Sequence, residues 1–198
     1  MATFLELLAD TYTITKRPNL VEETKLAIKV ATLKAHQKDF FPKDLYETGV
    51  SFLTSSYTQQ LDYKTILPRW RAIKYLRKYN ALGVPPIAGA FLKLKLPEQV
   101  LDSYGVSEEN IFYLAGSSFQ IRSSTKEKYY LLGCYLNPDI TEATFSSWIA
   151  LDHPYLIVFE AARVLFKSIG FDEQSVEMTR LVAEQYAILQ QEITGEGF

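Results

Sequence analysis

Residues 154–169 form a nearly continuous hydrophobic stretch, which predicts a helix that is buried on most of its sides. The charged residues inside it, Glu160, Arg163 and Lys167, recur at i, i+3 and i+7 and therefore share one narrow stripe of the helix. A proline at its first position and a glycine just beyond its last position mark the two ends. We expect this helix to be the centre around which the chain folds.

A membrane-spanning segment is the other interpretation of this stretch. Glu160 and Arg163 interrupt the hydrophobic run before it reaches the ~20 apolar residues that crossing a bilayer requires. We therefore expect a core helix, with its charged stripe either in solvent or against a neighbouring subunit. The spacing of Glu160 and Arg163 also suits an ion pair on one helix.

Hydrophobic residues at helical spacing predict four further helices, over residues 3–10, 18–40, 141–148 and 173–193. The last of these follows the central helix after a short turn at residues 170–172, so the two should pack antiparallel. His36 falls on the polar stripe of the second helix. We expect it to be a solvated histidine.

Two regions are rich in β-branched, aromatic and small polar residues and predict strands. Residues 44–63 predict a strand pair with a break near Gly49 or residues 54–56. Polar turns further along predict an antiparallel meander of three strands, over residues 111–114, 119–122 and 129–136. Gly133, inside the last strand, indicates a bulge or the close approach of another backbone. A helical turn is expected over residues 97–105.

Residues 68–81 predict a helix with one apolar and one basic side. The apolar side carries Trp70, Ile73, Leu76 and Tyr79, and the basic residues are Arg69, Arg71, Lys74, Arg77 and Lys78. This basic face is either solvated or a patch that contacts DNA or an acidic partner, since clustered arginine and lysine are the usual footprint of nucleic-acid binding. The spacing does not distinguish DNA from protein.

Together these elements predict an α+β fold that is mainly α: a helical bundle with a closing antiparallel helical hairpin and a small antiparallel β-sheet insertion. We expect one domain over residues 1–198. Its bundle comes from residues 1–41, 66–81 and 141–193, its β-rich parts from residues 43–64 and 84–139, and its tail from residues 194–198.

Composition narrows the functional classes. The net charge is only −2 over 198 residues, so no global field favours nucleic acid, a membrane or a strongly charged substrate. Cys134 is the single cysteine, which excludes an internal disulfide and a thiolate metal cluster within one chain. The first ten residues carry acids where a secretory signal carries bases, so we expect synthesis in the cytoplasm. Thirteen tyrosines suit either extensive interfaces or an aromatic-rich sheet and core.

No reaction centre emerges from the motifs. The chain has no glycine-rich phosphate loop, no nucleophilic serine elbow and no H-E-x-x-H, and His36 and His153 are far apart. Cys134 lies in a hydrophobic strand, where a buried inert thiol is expected. Glu160 could act as a general acid if burial raised its pKa, although a carboxylate beside Arg163 is more often structural. We expect no enzymatic activity, no cofactor and no metal.

Several phrases in a fixed order resemble the head-to-tail adaptor proteins of tailed bacteriophages, which are also called connector or gatekeeper proteins. The phrases are HQKDFFPKDL (36–45), LPRWRAIKYLRKY (67–79), IFYLAGSSFQIRS (111–123), YYLLGCYLNPD (129–139) and SWIALDHPYLIVFEAARVLFKSIG (147–170). No single phrase is diagnostic, and the weight comes from their order. The closest likeness is to the adaptors of short-tailed phages.

The resemblance implies a virion protein, made in the host cytoplasm and placed at the portal vertex between head and tail. It implies a ring of subunits, twelve in the family, that binds the portal and presents a platform for nozzle or tail-tube proteins. Packaged DNA would pass through the ring non-specifically during genome ejection, with no cofactor, catalysis or membrane. Candidate interface or channel residues are Arg69, Arg71, Lys74, Arg77, Lys78, Glu160, Arg163, Lys167 and Phe198, and residues 191–198 are expected to order on assembly.

Two other functions stay open at this point. The first is a nucleic-acid-binding module that uses the basic residues 69–78. The second is a cell-wall hydrolase in which Glu160 is the acid.

Overall fold

The computed structural model describes residues 3–51, 58–80, 87–101, 110–122 and 129–195. The chain divides into two compact units, a helical unit (Met1–Asp44 with Asn137–Phe198) and a sheet unit (Leu45–Leu136). In chain order the elements are α1 (Phe4–Thr15), α2 (Val21–Gln37), β1 (Leu45–Ser51), β2 (Thr58–Asp62), α3 (Tyr63–Ile66), β3 (Trp70–Asn80), β4 (Ile87–Phe91), β5 (Lys93–Leu94), α4 (Pro97–Leu101), β6 (Ile111–Ala115), β7 (Ser118–Arg122), β8 (Tyr129–Leu136), α5 (Trp148–Asp152), α6 (Pro154–Ser168) and α7 (Asp172–Gly195).

Helix α6 is the centre of the helical unit, as the hydrophobic pattern predicts. It packs against α1, α2, α5 and α7, and most of its side chains are buried. Leu156, Ile157 and Ala161 are fully enclosed in a core that α1, α2 and α7 share. The helix ends before Gly170, whose φ of +79° is a conformation that glycine adopts without strain.

Helices α6 and α7 form the predicted antiparallel hairpin. Contacts between them pair His153 with Glu192 near one end, and Arg163 with Ser175 near the other. The chain therefore reverses at the turn after α6, and α7 returns along the same side of the core. The hairpin was predictable because the turn is short and both helices are amphipathic.

Helix α1 is longer than its hydrophobic pattern predicts. Thr3 and Glu6 form a capping box at its start, where each side chain bonds the backbone N–H of the other residue. Thr11 and Thr15 then donate from their hydroxyls to carbonyl oxygens one turn earlier, at 2.7 and 2.8 Å. Both threonines are buried, and the helix continues through residues 11–15, beyond its predicted end at residue 10.

The described residues of the sheet unit form two four-stranded sheets. The first has the order β1-β8-β3-β4 and is antiparallel throughout. The second has the order β2-β7-β6-β5, in which only β5 runs parallel to its neighbour. Side chains from both sheets form a core of their own, in which the rings of Tyr63, Trp70 and Phe119 lie within 4.5–5.3 Å of one another.

The predicted fold class is wrong in its proportions. The strands do not form a small insertion in a bundle, because they make two sheets with a separate hydrophobic core. The predicted pairing of the strands is also partly wrong. β1 and β2 belong to different sheets instead of pairing, and β8 leaves the hairpin β6–β7 to pair with β1 and β3. That all of residues 1–198 act as a single adaptor domain stays a prediction.

Residues 70–80 form strand β3, so the predicted basic helix over residues 68–81 is wrong. Trp70, Ile73 and Leu76 are three residues apart, which imitates a helical period. On β8 their partners are Leu136, Cys134 and Leu132, which are only two apart. The register shifts twice along β3, and each shift adds one extra residue, so every core-facing side chain still reaches the same face.

Two smaller predictions also change. The short helix expected over residues 141–148 begins instead at Trp148, and the preceding segment is a turn closed by Asp139 and Ser146, whose backbones bond in both directions. The helical turn expected over residues 97–105 is observed as α4, and residues 102–105 lie outside the described residues.

Candidate functional site

Two residues of the charged stripe of α6, Glu160 and Arg163, form an ion cluster around a buried carboxylate. The side chain of Glu160 is 3% exposed. Arg163, one turn later, binds it with two hydrogen bonds, from Nε to Oε2 at 2.8 Å and from Nη2 to Oε1 at 2.7 Å. Lys34 of α2 reaches across and donates to Oε1 at 2.6 Å. The bidentate geometry is the strongest that an arginine and a carboxylate form.

These contacts decide the protonation state of Glu160. Burial is the largest influence and favours the neutral acid, but the hydrogen bonds and charges of Arg163 and Lys34 together outweigh it. They hold the pKa of Glu160 below its ordinary value of 4.5. A general acid needs the opposite shift, so the cluster does not support Glu160 as the acid of a hydrolase.

A groove of about 500 Å³ lies over this cluster, which we call the Glu160 groove. Its walls are residues of α2, of the position directly after α2, and of α6 and α7: Lys34, Gln37, Lys38, Glu160, Arg163, Thr179, Val182, Ala183 and Tyr186. The ammonium group of Lys38 lies 3.7 Å from the centre of the Tyr186 ring. Burial raises the pKa of Tyr186 to about 12, so its hydroxyl stays neutral. Three cations and one carboxylate make the groove net positive.

Two further candidate residues of the helical unit, Lys167 and Phe198, are not part of the cluster that the structure describes. Lys167 is exposed in the last turn of α6. Phe198 lies outside the described residues, as do residues 196 and 197.

The five basic candidates of residues 69–78 lie in or next to strand β3. Arg69 is exposed just before the strand, and Arg71 and Lys74 are the two extra residues of its register shifts. Such an extra residue has no partner on the neighbouring strand, and it interrupts the regular alternation of side chains between the two faces. The five side chains therefore do not share the single face that a helix would have provided.

Aromatic rings accompany two of these cations. The guanidinium of Arg77 lies 4.6 Å from the centre of the Phe91 ring, and its Nη2 donates to the carbonyl of Gly89 at 3.2 Å. Tyr75 meets the same Phe91 ring edge-on, with the centres 5.5 Å apart. Lys74 lies 5.6 Å from the ring of Tyr135. The first sheet thus has cations and aromatic rings in contact, and Phe91 is largely exposed.

His36 is a polar residue that the sequence interpretation misplaces. It is 1% exposed, and both of its ring nitrogens are bonded. Nδ1 is 2.8 Å from Asp44 Oδ1, and Nε2 is 2.8 Å from Ser147 Oγ. Asp44 also accepts a hydrogen bond from the indole of Trp148 at 2.7 Å. The signal was present, because Ile28, Thr32 and His36 recur at i, i+4 and i+8 and are all buried.

The residue types of this network are those of a serine hydrolase triad. The contacts that the structure describes, however, stabilise the local fold. Ser147 Oγ accepts from the backbone N–H of Ala150 at 3.0 Å and caps α5. The network thereby joins the end of α2, the turn at Pro42–Asp44 and the start of α5.

Cys134 matches its prediction. It is buried in β8, and desolvation raises the pKa of its thiol to about 11. Such a thiol is a poor nucleophile at neutral pH.

The two units carry opposite net charge. The sheet unit has eleven Lys or Arg and seven Asp or Glu, a net charge of +4, whereas the helical unit has ten and sixteen, a net charge of −6. The net charge of the whole chain is therefore close to zero only because the opposite charges of the two units nearly cancel. The Glu160 groove is a local positive site within the acidic unit.

Within the described ranges, no helix is both long and apolar enough to cross a membrane. In the same residues, no group of three or more His, Cys, Asp and Glu side chains is placed to hold a metal ion. No protein-family model matches the sequence, and comparison with curated proteins also finds no match.

Proposed function

We propose that this chain is a structural virion protein, a head-to-tail adaptor whose copies form a ring between the portal and the tail of a bacteriophage. The observation that carries the proposal is the division of charge between the units. A ring whose subunits meet head to tail needs two different, complementary surfaces on each subunit. A unit of net charge +4 and one of net charge −6 supply two chemically different surfaces.

Exposed hydrophobic side chains on the helical unit support the same proposal. Leu5 of α1, Leu26 of α2 and Val176 of α7 are 72%, 62% and 70% exposed. Tyr155 is also exposed at the start of α6, where its ring stacks on Phe159. A scattered apolar residue is ordinary, but large ones on four helices suit a protein that buries them on assembly.

The basic sheet unit fits the DNA that passes through such a ring. Non-specific contact with DNA uses lysine and arginine against phosphates, without reading the bases. Several lysines and arginines lie in or next to strand β3. We propose that they face the channel wall, the portal or a neighbouring subunit. The order of the sequence phrases that resemble adaptors supports the portal and the tail proteins as partners.

Binding to the portal tests this proposal. The purified chain, mixed with the portal ring of its own phage at several salt concentrations, should co-sediment with the ring and add a layer seen by electron microscopy. A portal from an unrelated phage is the control and should not be covered. Failure to bind the cognate portal at every salt concentration would overturn the proposal.

A nucleic-acid-binding module is the second candidate, and the contact of Arg77 with Phe91 favours it. Cations beside aromatic rings are a usual surface for binding nucleic acid. This function predicts DNA affinity that falls steeply with salt and is lost when Arg71, Lys74 and Lys78 are changed to Ala. The matched control removes the same charge from elsewhere in the sheet unit, with Lys64, Lys93 and Arg122 changed to Ala. Equal affinity in the two triple variants would contradict it.

A further inference from the structure

We propose that the outer face of α1 in one subunit binds in the Glu160 groove of a second copy of this chain. This inference rests on the proposed function, because it names a contact that would build the ring. It follows from matched stripes of apolar and charged residues on the two surfaces.

The groove has an apolar wall beside a basic wall. The apolar wall is on α7, where Thr179, Val182, Ala183 and Tyr186 recur at i, i+3, i+4 and i+7. The basic wall is at the end of α2, where Lys34 lies in the helix and Lys38 directly follows it, with Arg163 at the base. Spacing at one turn on both walls suits a helix laid along the groove.

The outer face of α1 has the complementary arrangement. Leu5 and Ala9 form an exposed apolar stripe, and Glu6 and Asp10 form an exposed acidic stripe next to it. No Lys or Arg occurs anywhere in residues 3–15. Leu5, at 72%, is a large side chain left almost uncovered. If α1 lay in the groove, its apolar stripe would contact the apolar wall and its acidic stripe would contact the basic wall.

The contact must join two different copies. The opposite face of α1, with Phe4, Leu7 and Thr11, is buried against its own core, and its outer face is exposed. A subunit therefore does not fill its own groove with its own α1. Because α1 and the groove are different surfaces, the contact is head to tail and repeats from subunit to subunit until rotation closes a ring.

A small phosphate-like anion is the competing occupant of the groove. It would satisfy the cations, but it would make no contact suited to the apolar side of the groove, where Ala183 is exposed. An acidic, apolar helix covers both walls. We therefore propose α1 as the occupant of the groove. Binding of inorganic phosphate is measured as the competing outcome.

Disulfide trapping tests the contact directly. Ala9 and Ala183 are small and exposed, so one chain carries Ala9→Cys and another carries Ala183→Cys. The two are mixed and oxidised, both free at high concentration and assembled on the portal. Native Cys134 is fully buried and does not interfere. We expect a disulfide-linked dimer, and a ladder of higher multimers when one chain carries both substitutions. Ala143→Cys, which is also exposed and lies outside the groove, is the matched control and should not form a dimer with Ala9→Cys.

Charge reversal gives a second readout. Lys38→Glu should lower the yield of the trapped dimer by about tenfold, because it replaces an attraction with a repulsion. Asp10→Lys in the α1 partner should restore it. Lys167→Glu makes the same charge change on an exposed residue outside the groove and should leave the yield unchanged.

Three results would overturn the inference. The first is that no dimer forms in either the free or the portal-bound protein. The second is that Lys38→Glu and Lys167→Glu give the same dimer yield, and the third is that the groove binds inorganic phosphate while changes on α1 leave the dimer yield unchanged. The proposed function is tested separately: portal binding without trapping removes only this contact, and trapping without portal binding removes only the adaptor.

Discussion

The ring of Tyr75 occupies the space that a side chain on Gly133 would need. The two residues are partners on the adjacent strands β3 and β8, and a Cβ built on Gly133 would lie 2.5 Å from Tyr75 Cζ. Tyr75 in turn packs edge-on against Phe91. The glycine inside β8 thus makes room for an aromatic side chain of the adjacent strand, whereas the sequence predicts a bulge or the close approach of another backbone.

This contact predicts that Gly133→Ala lowers the free energy of unfolding by about 1–2 kcal/mol, because the methyl group forces the Tyr75 ring away from Phe91. Gly49→Ala on the neighbouring strand is the control, since nothing lies within 4 Å of its Cβ position. Urea denaturation of both variants measures the difference. In a Tyr75→Ala background the alanine at position 133 should cost little, and an unchanged cost there would show that the ring is not the cause.

The ion cluster on α6 predicts an asymmetry between its two partners. Arg163→Met leaves the carboxylate of Glu160 buried with Lys34 alone and should cost about 3 kcal/mol of unfolding free energy. Glu160→Gln leaves cations that are partly exposed, so it should cost less, about 1–2 kcal/mol. Lys167→Met, one turn beyond Arg163 and exposed, is the matched control and should change little. Equal losses at positions 160 and 163 would contradict the account.

The lowered pKa of Glu160 predicts the pH at which its contribution disappears. A carboxyl whose folded pKa is below its ordinary value of 4.5 stabilises the fold fully above that value and loses this effect as pH falls through the folded pKa. The difference in unfolding free energy between the native chain and Glu160→Gln should therefore be constant at neutral pH and shrink under acid conditions. Denaturant titrations over a series of pH values measure it. A difference that grows on acidification would contradict the sign.

The buried network of His36 predicts that Ser147→Ala destabilises the helical unit by about 1–3 kcal/mol, because it removes both the cap of α5 and a partner of the imidazole. Ser146→Ala, at the exposed neighbouring position, should stay within about 0.5 kcal/mol of the native chain. Thermal unfolding followed by circular dichroism gives both values. Similar melting temperatures for the two variants would exclude this role for Ser147.

The helical unit was largely predictable because its signals are local. The hydrophobic run before Gly170, the short turn after it and the amphipathic α7 each depend on neighbours in sequence. The sheets were harder, because β1 pairs with β8, from Leu45 with Tyr135 to Ser51 with Tyr129, and no local pattern determines so distant a partner. The bounds of β6, β7 and β8 could be read closely from sequence, but strand β3 and the division into two sheets could not.

Strand β3 shows how a local pattern misleads. Trp70, Ile73 and Leu76 have helical spacing, yet the strand tolerates that spacing through two bulges that add Arg71 and Lys74. His36 shows the reverse error. It lies on a stripe that looks polar, although Asp44 and Ser147 make its burial favourable from distant positions in sequence.

Native mass spectrometry of the 22.6 kDa chain, alone and mixed with the portal ring encoded beside it, tests the central proposal most directly. The adaptor account predicts that the portal gains mass in one fixed multiple of the chain, twelve copies if the family stoichiometry holds. A chain that leaves the portal unbound, and instead binds duplex DNA or forms a small closed dimer, would contradict it.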